Sequence, residues 1–219
     1  MRRRGIPVQQ AATTADHILH AAESLICRHR IDDISVRRIS GAAGVSASAI
    51  SYYFGSREEL LLEAVRVIYR RFNAERIRLL QAAIDQRAPL PPDLNEVIAA
   101  LVGPSVRWSL DPNSSYRAFT NLSQLRRATE DGLATPRRRA EYLYPFVIAF
   151  KRIAPWLSEA EIGFRIHAAL GIRSNVIRDR ARLVALTKSA FALDDAEEMI
   201  GLMIDVIAPM FSKIGKASA

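Results

Sequence analysis

Apolar side chains recur every three or four positions along most of the chain, the spacing that places them on one face of an α-helix. Two stretches show this best, and their apolar positions are Leu60, Leu61, Ala64, Val67, Ile68 and Phe72 in the first and Met199, Ile200, Met203, Ile207, Met210 and Ile214 in the second. The alternating pattern of a half-buried strand does not recur. The sequence therefore predicts an all-α fold.

Five helix starts carry a local signal of their own. In three of them an oxygen-bearing residue stands three positions before a glutamate, as in a capping box: Ser56 with Glu59, Ser158 with Glu161 and Asp194 with Glu197. In the other two, Pro112 and Pro136 follow a capping residue, and proline suits a first helical turn. These signals and the periodicity together predict nine helices, near residues 14–29, 36–43, 47–53, 57–86, 94–109, 113–128, 136–154, 159–186 and 195–213.

The sharpest local pattern lies between residues 34 and 54. Ser35 can cap a short helix that ends at Ala43, Gly44 can take the left-handed conformation that ends a helix, and Ser46 can cap the next helix. Two short helices then meet at a tight turn, with Val45 filling the corner.

Helical spacing divides the side chains of this pair into two sets. Those expected to face inward are Ile39, Ala43, Val45 and Ile50, and those expected to face outward are Ala47, Ser48, Ser51 and Tyr52. A second helix with small outward residues is typical of a helix-turn-helix, because that helix enters the major groove of DNA by its N-terminal part. The alternative is an ordinary corner in a helical bundle. The Tyr52-Tyr53-Phe54 group, followed at once by a helix start at Arg57, favours DNA binding.

Composition and charge agree with a globular protein that has an anionic partner. The chain has 219 residues, 49% of them apolar and 25% charged, and 31 basic against 23 acidic residues give a net charge of +8. The basic residues are all arginines except Lys151, Lys188, Lys213 and Lys216. Arginine suits phosphate, although genome base composition can produce the same bias. Arg37 and Arg38 can contact phosphate or lie on a solvated surface.

Several classes of protein do not fit the sequence. It contains no apolar run of membrane-helix length, and the arginines at positions 2–4 are not followed by the apolar core of a signal peptide, so we expect a cytoplasmic protein. Cys27 is the single cysteine and no Cys/His cluster has metal-ligand spacing, so we expect neither metal nor cofactor. Asp194 and Asp195 are better explained as a helix start than as catalytic groups, and we expect no enzymatic activity.

The stretch from about Ile18 to Leu62 resembles the DNA-binding domain of the TetR/AcrR family of bacterial transcriptional repressors. The matching motifs are the turn from Ala43 to Ser46, the aromatic group Tyr52-Tyr53-Phe54, and the helix start Arg57-Glu58-Glu59-Leu60. The resemblance implies that Tyr52 and Tyr53 touch phosphates or bases and that Arg57 holds a phosphate. Two positions depart from the family pattern: Ser51 stands where many members have tyrosine, and Tyr53 where many have histidine.

The middle of the chain is rich in aromatic residues. Tyr142, Phe146 and Phe150 are spaced to share one helical face, and Pro104 and Pro145 fall inside predicted helices, where proline removes a backbone hydrogen bond. An apolar effector pocket and ordinary core packing both explain this pattern. The resemblance favours a pocket, and its expected residues are Trp108, Phe119, Tyr142 and Phe146, with Arg107 or Arg173 available to pair an anionic ligand.

The last two predicted helices are apolar on more than one face, and each contains a glycine, Gly171 and Gly201. Apolar surface beyond one stripe needs a second partner, and glycine in a helix suggests close crossing. The resemblance implies a two-fold homodimer through these helices, and its expected contact residues are Ile166, Leu170, Met199, Met203 and Ile207.

The residues and the resemblance together predict a ligand-responsive DNA-binding transcriptional regulator, a repressor that binds an inverted-repeat operator as a homodimer. Its expected partners are double-stranded DNA and a small-molecule effector whose identity the sequence does not specify. We expect a helix-turn-helix domain over residues 1–56, with the DNA-contacting residues Arg37, Ser46, Ala47, Ser48, Ser51, Tyr52, Tyr53 and Arg57, and an effector-binding and dimerisation domain over residues 57–219. The alternative is a helical protein-interaction or ligand-binding protein without sequence-specific DNA binding. It explains the apolar last helices but not the motif between residues 35 and 60.

Overall fold

The computed structural model describes residues 8–112, 114 and 141–213. Within these residues the fold has two 3₁₀ helices, Ile31–Asp33 and Ala208–Phe211, and no strand. Its α-helices are α1 (Val8–Arg28), α2 (Val36–Ala43), α3 (Ala47–Phe54), α4 (Arg57–Arg87), α5 (Leu94–Leu110), α6 (Tyr144–Ile153), α7 (Glu159–Arg178), α8 (Arg180–Thr187) and α9 (Ala196–Ile207). The all-α prediction is confirmed. The helix predicted near residues 113–128, the first part of that predicted near 136–154, and Phe119 lie outside the described residues.

Two of the three predicted capping boxes are confirmed. The N–H of Ser56 donates to Oε2 of Glu59 at 3.1 Å, and the N–H of Glu59 donates back to Oγ of Ser56 at 3.1 Å. Ser158 and Glu161 form the same reciprocal pair at the start of α7. Such boxes depend only on residues three positions apart, which is why the sequence alone shows them.

Several details of the helices differ from the prediction. The helix α1 begins at Val8, six residues before the predicted start near residue 14. The helix predicted over residues 159–186 is two helices, because Asp179 leaves the helical conformation and its carboxylate accepts a hydrogen bond from the N–H of Arg182. Pro145 lies in the first turn of α6 rather than inside a helix, so it removes no helical hydrogen bond. Asp195, rather than Asp194, caps α9, and its carboxylate accepts from the N–H groups of Glu197 and Glu198.

Packing divides the described residues into two compact units. Of the described residues, the first unit contains those from α1 to Arg71 of α4 and Ser114, and the second contains residues 72–112 and 141–213. The helix α4 thus contributes to both units. The functional division predicted at residues 56 and 57 stays a prediction.

The first unit has an aliphatic core to which all four of its helices contribute. Its fully buried side chains include Ile18, Ile26, Ile34, Ile39, Ile50, Leu60 and Leu61. Removing each of these from water contributes about 1.5–3 kcal/mol to folding. At the edge of this core, Nη2 of Arg71 in α4 lies 3.0 Å from Oε2 of the buried Glu23 in α1.

The second unit is built around α5, whose residues from Val97 to Val106 include nine buried positions. This helix packs against α6, α7 and α9. A Cβ added at Gly103 would lie 3.3 Å from the side chain of Ile200, so glycine allows α5 and α9 to cross closely there. Phe150 and Phe211 stack face to face with ring centroids 4.0 Å apart.

Candidate nucleic-acid interface

The turn between α2 and α3 is a Schellman motif built on Gly44. Its φ of 66° lies in the left-handed region, where a side chain would be strained. The N–H of Val45 donates to the carbonyl oxygen of Ser40 at 3.0 Å, and the N–H of Gly44 donates to that of Gly41 at 3.4 Å. At the other end of α2, Oγ of Ser35 accepts from the N–H of Arg38 at 3.2 Å. These local bonds set the direction in which α3 leaves the turn.

One face of α3 is buried and the opposite face is open to solvent. Ile50 is 1% exposed and Ile39 of α2 is fully buried. The outward positions predicted from helical spacing are exposed, and they are Ala47, Ser48, Ser51 and Tyr52. The tyrosine ring is 73% exposed, which is unusual for so large an apolar group. Ala43 and Val45, expected to face inward, are half-buried.

Ser46 stands at the N-cap of α3, but its side chain does not cap the helix as predicted. Its hydroxyl lies 2.9 Å from the hydroxyl of Ser48, and the N–H of Ala49 donates instead to the carbonyl oxygen of Ser46 at 3.1 Å. The two hydroxyls therefore lie at the exposed, electropositive start of α3, where backbone N–H groups favour anions.

The aromatic residues at the end of α3 differ in burial. Tyr53 is half-buried and meets the ring of Tyr52 edge-on, with centroids 4.9 Å apart and an interplanar angle of 87°. Phe54, assigned from the sequence to the core, is half-buried. The exposed ring of Tyr52 therefore has an aromatic contact with its neighbour Tyr53.

The guanidinium of Arg57, expected to reach outward to phosphate, is engaged within the first unit. Its Nε donates to the carbonyl oxygen of Ile34, its Nη2 to that of Ile31, and its Nη1 to Oε1 of Glu58 at 2.8 Å. Three of the five N–H donors of an arginine are thereby used. The hydrogen bond from Arg57 holds the pKa of Glu58 below its ordinary value. No spacing rule in the sequence indicates contacts with carbonyl groups so far back along the chain.

The two arginines of α2 have different surroundings. Nη2 of Arg38 lies 3.0 Å from Nε2 of His29 at the end of α1, and Nη1 donates to the carbonyl oxygen of Asp33 at 3.4 Å. Arg37 is exposed on the same helix. Both side chains are exposed, and that of Arg38 has contacts within the first unit.

The residues predicted to line an effector pocket lie in the second unit, except for Phe119, which is outside the described residues. Trp108 and Tyr142 are half-buried, whereas Phe146 is fully buried in the hydrophobic core. Nε1 of Trp108 donates to Oε2 of Glu75 at 3.0 Å, and its ring meets Phe72 edge-on at 5.1 Å. Trp108 therefore has both a polar anchor and an aromatic neighbour.

The two arginines considered for an anionic ligand are both half-buried in this unit, and their side chains have different partners. Arg107 forms a two-point ion pair with Glu197, at 2.8 and 3.1 Å. Arg173 is half-buried and donates to the hydroxyls of Ser105 at 3.1 Å and Ser174 at 2.8 Å. Arg76, which sequence reasoning missed, donates to the same Ser105 oxygen at 3.1 Å and lies 4.3 Å from the Phe72 ring centroid.

The residues predicted to form the dimer contact face mainly into their own chain. Ile166, Met199, Met203 and Ile207 are at most 2% exposed in the core of the second unit, and Leu170 is half-buried. The same helices expose other apolar groups, Phe164 at 73% and Val206 at 58%. Because both helices carry apolar residues on more than one face, helical spacing alone did not distinguish the inner from the outer face.

The helical glycines of α7 and α9 face open space. A Cβ added at Gly163, Gly171 or Gly201 meets no described atom within 4 Å. Glycine inside a helix costs about 1 kcal/mol relative to alanine. The described part of the chain therefore contains no close crossing that requires these glycines.

Two classes of site are absent from the described residues. Across residues 8–112 and 141–213, no group of three or more His, Cys, Asp or Glu side chains is arranged to hold a metal ion. No helix in the same ranges combines the length and apolar character needed to cross a membrane. Cys27 is half-buried.

Comparison with known proteins agrees with the helix-turn-helix geometry. Residues 18–64 match the family of bacterial regulatory proteins of the tetR family, and residues 99–210 match the tetracyclin repressor-like C-terminal domain. The chain belongs to the TetR family of bacterial regulatory proteins, and it is a transcriptional regulator.

Individual relatives share limited sequence identity with this chain. HTH-type transcriptional repressor NicS of Pseudomonas putida is 35% identical over 78 residues, which is 36% of this chain and 37% of that relative. A Rhodococcus protein assigned to the TetR family has a TM-score of 0.61 at 17% identity, covering 91% of this chain and 100% of its own. NalD of Pseudomonas aeruginosa, the secondary repressor of the MexAB-OprM multidrug efflux pump, has a TM-score of 0.55 at 17% identity. The match covers 92% of this chain and 97% of NalD. At such identities these structures share the fold.

Proposed function

We propose that this protein is a cytoplasmic, ligand-responsive repressor that binds an inverted-repeat operator as a homodimer. Residues 1–56 would read DNA, and residues 57–219 would bind the effector and the second copy. The observation that carries the proposal is the exposed face of α3, whose small residues and Tyr52 project from a helix anchored by Ile50 and the Gly44 turn.

The chemistry of this face suits the major groove. Ala47 and Ser48 are small enough to let the start of α3 approach the base edges, and the hydroxyls of Ser46 and Ser48 can donate or accept hydrogen bonds. Tyr52 and Arg37 lie at positions from which a hydroxyl and a guanidinium can reach backbone phosphates. Arg57 has at most two N–H donors left for a phosphate once its contacts with Ile31, Ile34 and Glu58 are formed.

Selection from random-sequence duplexes, followed by gel-shift measurement, tests this proposal. We expect an inverted repeat whose half-sites present major grooves about 34–36 Å apart, or a multiple of that, as a two-fold dimer requires. A Ser48→Ala variant should alter base preference, whereas Arg66→Ala, on an exposed face of α4, serves as the control. A single asymmetric site, or binding without sequence preference, would contradict the proposal and favour a helical protein-interaction or ligand-binding protein.

For the dimer we propose the outer faces of α7 and α9. Phe164 and Val206 expose apolar surface there, and Gly171 and Gly201 leave room for a second pair of helices to approach closely. Four helices from two copies would then cover the apolar groups that one chain leaves in water. The buried residues Met199, Met203 and Ile207 would support these helices from within.

For the effector we propose the part of the second unit that contains Trp108, with Tyr142 as a further contact; Phe119, the other aromatic residue expected from the sequence, lies outside the described residues. Trp108 and Tyr142 are half-buried, and a pocket lined by aromatic side chains with a few polar groups suits a small organic ligand. Phe146 would shape this region from the core. Binding there would change operator affinity by favouring one conformation of the chain, and a tenfold change needs about 1.4 kcal/mol of differential binding.

A further inference from the structure

Two arginines stand at the ends of one buried stripe of α4 within the first unit. Successive members of the stripe are three or four residues apart, so they share one face of the helix; they are Arg57, Leu61, Ala64, Ile68 and Arg71. The three apolar residues between the arginines are at most 1% exposed. Polar side chains therefore flank the part of α4 that is buried in the core of this unit.

Each arginine bonds to a different segment of the first unit. Arg57 donates to the main-chain carbonyl oxygens of Ile31 and Ile34, in the segment before α2. Nη2 of Arg71 donates to Oε2 of Glu23 in α1 at 3.0 Å, and α1 packs against α2.

The two contacts are far apart along α4. Positions 57 and 71 are separated by about 21 Å at 1.5 Å per residue. Two contacts at this distance fix the direction of a helix, whereas one contact lets the helix pivot. With Arg57 held in place, a displacement of about 1 Å at Arg71 would turn α4 by about 3°. The contact of Arg71 with Glu23 therefore controls the direction in which α4 leaves the helix-turn-helix.

This second contact is an ion pair at a site where apolar packing would also hold the two helices. Glu23 is 8% exposed and is the one buried carboxylate among the residues that the structure describes, whereas the side chain of Arg71 is 60% exposed. Burying a carboxylate costs free energy that offsets its attraction to an arginine, and apolar residues of similar volume often stabilise a fold equally well. A charged hydrogen bond has a preferred direction, which apolar contacts lack. The pair is therefore better suited to positioning α4 than to stabilising the fold.

We propose that Arg71 and Glu23 are a positioning pair that sets which spacing between half-sites the dimer accepts. The helix α4 continues from Arg71 into the second unit, in which the proposed dimer contact lies. A fixed direction of α4 presents the two copies of α3 at one separation and orientation, and such preorganisation raises affinity. Without the pair, each α3 would tilt, and a smaller fraction of the molecules would fit the operator. This inference rests on the proposed function as an operator-binding homodimer.

The test variant replaces both members of the pair by apolar residues of similar length, Glu23→Met with Arg71→Met. Its unfolding midpoint in denaturant should be no lower than that of the wild type, because no buried charge is left unpaired. Glu23→Gln is a second variant, which removes the charge at constant shape and should show the same changes in DNA binding to a smaller extent. The matched control is Arg70→Met, which removes the neighbouring arginine and its exposed ion pair with Glu63.

Gel shifts on the selected operator, and on duplexes with one base pair added or removed between its half-sites, measure the spacing preference. For the wild type and Arg70→Met, altered spacing should weaken binding at least tenfold, because one base pair moves a half-site by about 3.4 Å and turns it by about 35°. The double variant should bind the operator at least tenfold more weakly and lose less than threefold more on altered spacing. A purely structural role of the pair would weaken binding to every duplex by the same factor.

Distances between spin labels test the positioning pair without DNA. The labels are attached at Ala42→Cys in α2 and Arg70→Cys in α4, two exposed positions of the first unit, in a Cys27→Ala chain. Dilution with unlabelled protein restricts the measurement to distances within one chain. The width of the distance distribution should increase at least twofold when Glu23 and Arg71 are replaced by methionine.

Two outcomes would each overturn the proposal: wild-type operator affinity and spacing preference in the double variant, or an unchanged width of the distance distribution. The selection experiment separates this inference from the proposed function. If no inverted repeat is selected but the distribution broadens, the proposed repressor is refuted, while the role of the pair in fixing α4 stands. If an inverted repeat is selected and its spacing preference survives loss of the pair, the repressor stands and the positioning role is refuted.

Discussion

The guanidinium of Arg57 donates from its Nε to the main-chain carbonyl oxygen of Ile34, 23 residues earlier in the chain. A second donor, Nη2, reaches the carbonyl oxygen of Ile31. These bonds connect the start of α4 to the segment that precedes α2, so they close a loop containing both helices of the helix-turn-helix. Arg57, to which the family resemblance assigns a phosphate contact, therefore also supports the fold of the helix-turn-helix.

Replacing Arg57 with alanine is expected to lower the free energy of unfolding by about 1.5–3 kcal/mol, because hydrogen bonds to charged groups at half-buried sites contribute that much. Chemical denaturation monitored by circular dichroism measures it. The matched control is Arg66→Ala, which removes an exposed ion pair with Glu63 on the same helix and should cost less than about 0.5 kcal/mol. If the two variants had equal free energies of unfolding, the Arg57 contacts would contribute no more to stability than the exposed ion pair of Arg66.

The exposed face of α3 is expected to affect DNA binding without affecting stability. Tyr52→Ala should change the unfolding free energy by less than about 0.5 kcal/mol, yet weaken binding to all DNA sequences. The dependence of DNA affinity on salt concentration should not change, because the tyrosine carries no charge. Arg37→Ala should weaken binding uniformly and reduce the salt slope by about one, because it removes one cation from a phosphate. Gel shifts over a salt series separate the two. If Tyr52→Ala reduced the slope of DNA affinity against salt concentration, an uncharged contact between Tyr52 and DNA would be excluded.

Two substitutions to glutamate on neighbouring helices are expected to have opposite consequences. Gly171→Glu introduces a charge where the described chain leaves open space, so it should yield a folded monomer. Met203→Glu places a carboxylate in the core and should unfold the chain, since an unpaired buried charge costs several kcal/mol. Light scattering and circular dichroism distinguish monomer from unfolded protein. An intact dimer of Gly171→Glu would place the interface elsewhere.

Phe146→Ala is expected to act through stability. This ring is fully buried in the core of the second unit, and truncating such a residue costs about 3–5 kcal/mol. Trp108→Phe removes the hydrogen bond to Glu75 and part of the ring at a half-buried site, so it should lower the melting temperature less than Phe146→Ala does. Its effect should appear in ligand binding. If Phe146→Ala keeps the wild-type melting temperature, the ring lines a cavity instead.

Stability should decline in acid partly through Glu58. The hydrogen bond from Arg57 lowers its pKa in the folded protein, so the stabilisation is present above the unfolded-state pKa and is lost as pH falls through the folded-state pKa. The contribution should be below about 1 kcal/mol, because the pair is partly exposed. Glu58→Gln should flatten the unfolding free energy below about pH 4.5. If the unfolding free energies of the variant and the wild type changed with pH in parallel, Glu58 would make no such contribution.

Features that depend on residues a few positions apart followed from the sequence. The turn at Gly44, the capping boxes at Ser56 and Ser158, and the outward face of α3 all rest on local geometry, in which helical spacing and the left-handed preference of glycine decide the outcome. Where two residues offered the same local chemistry, as Asp194 and Asp195 do, the sequence indicated the cap only to within one position.

Tertiary structure decided which side of an element faces its neighbours and which distant groups meet. Both Met203 and Val206 are apolar residues of α9, yet Met203 is buried and Val206 is exposed, because packing against α5 selects the inner face of this helix. Arg76 and Arg173 meet at Ser105 because three helices cross there, and no spacing along the chain encodes that meeting. The sequence by itself thus determined the helices and the turn between α2 and α3. The meeting of Arg76 and Arg173 at Ser105 and the outer faces of α7 and α9 depend on contacts between residues far apart in the chain.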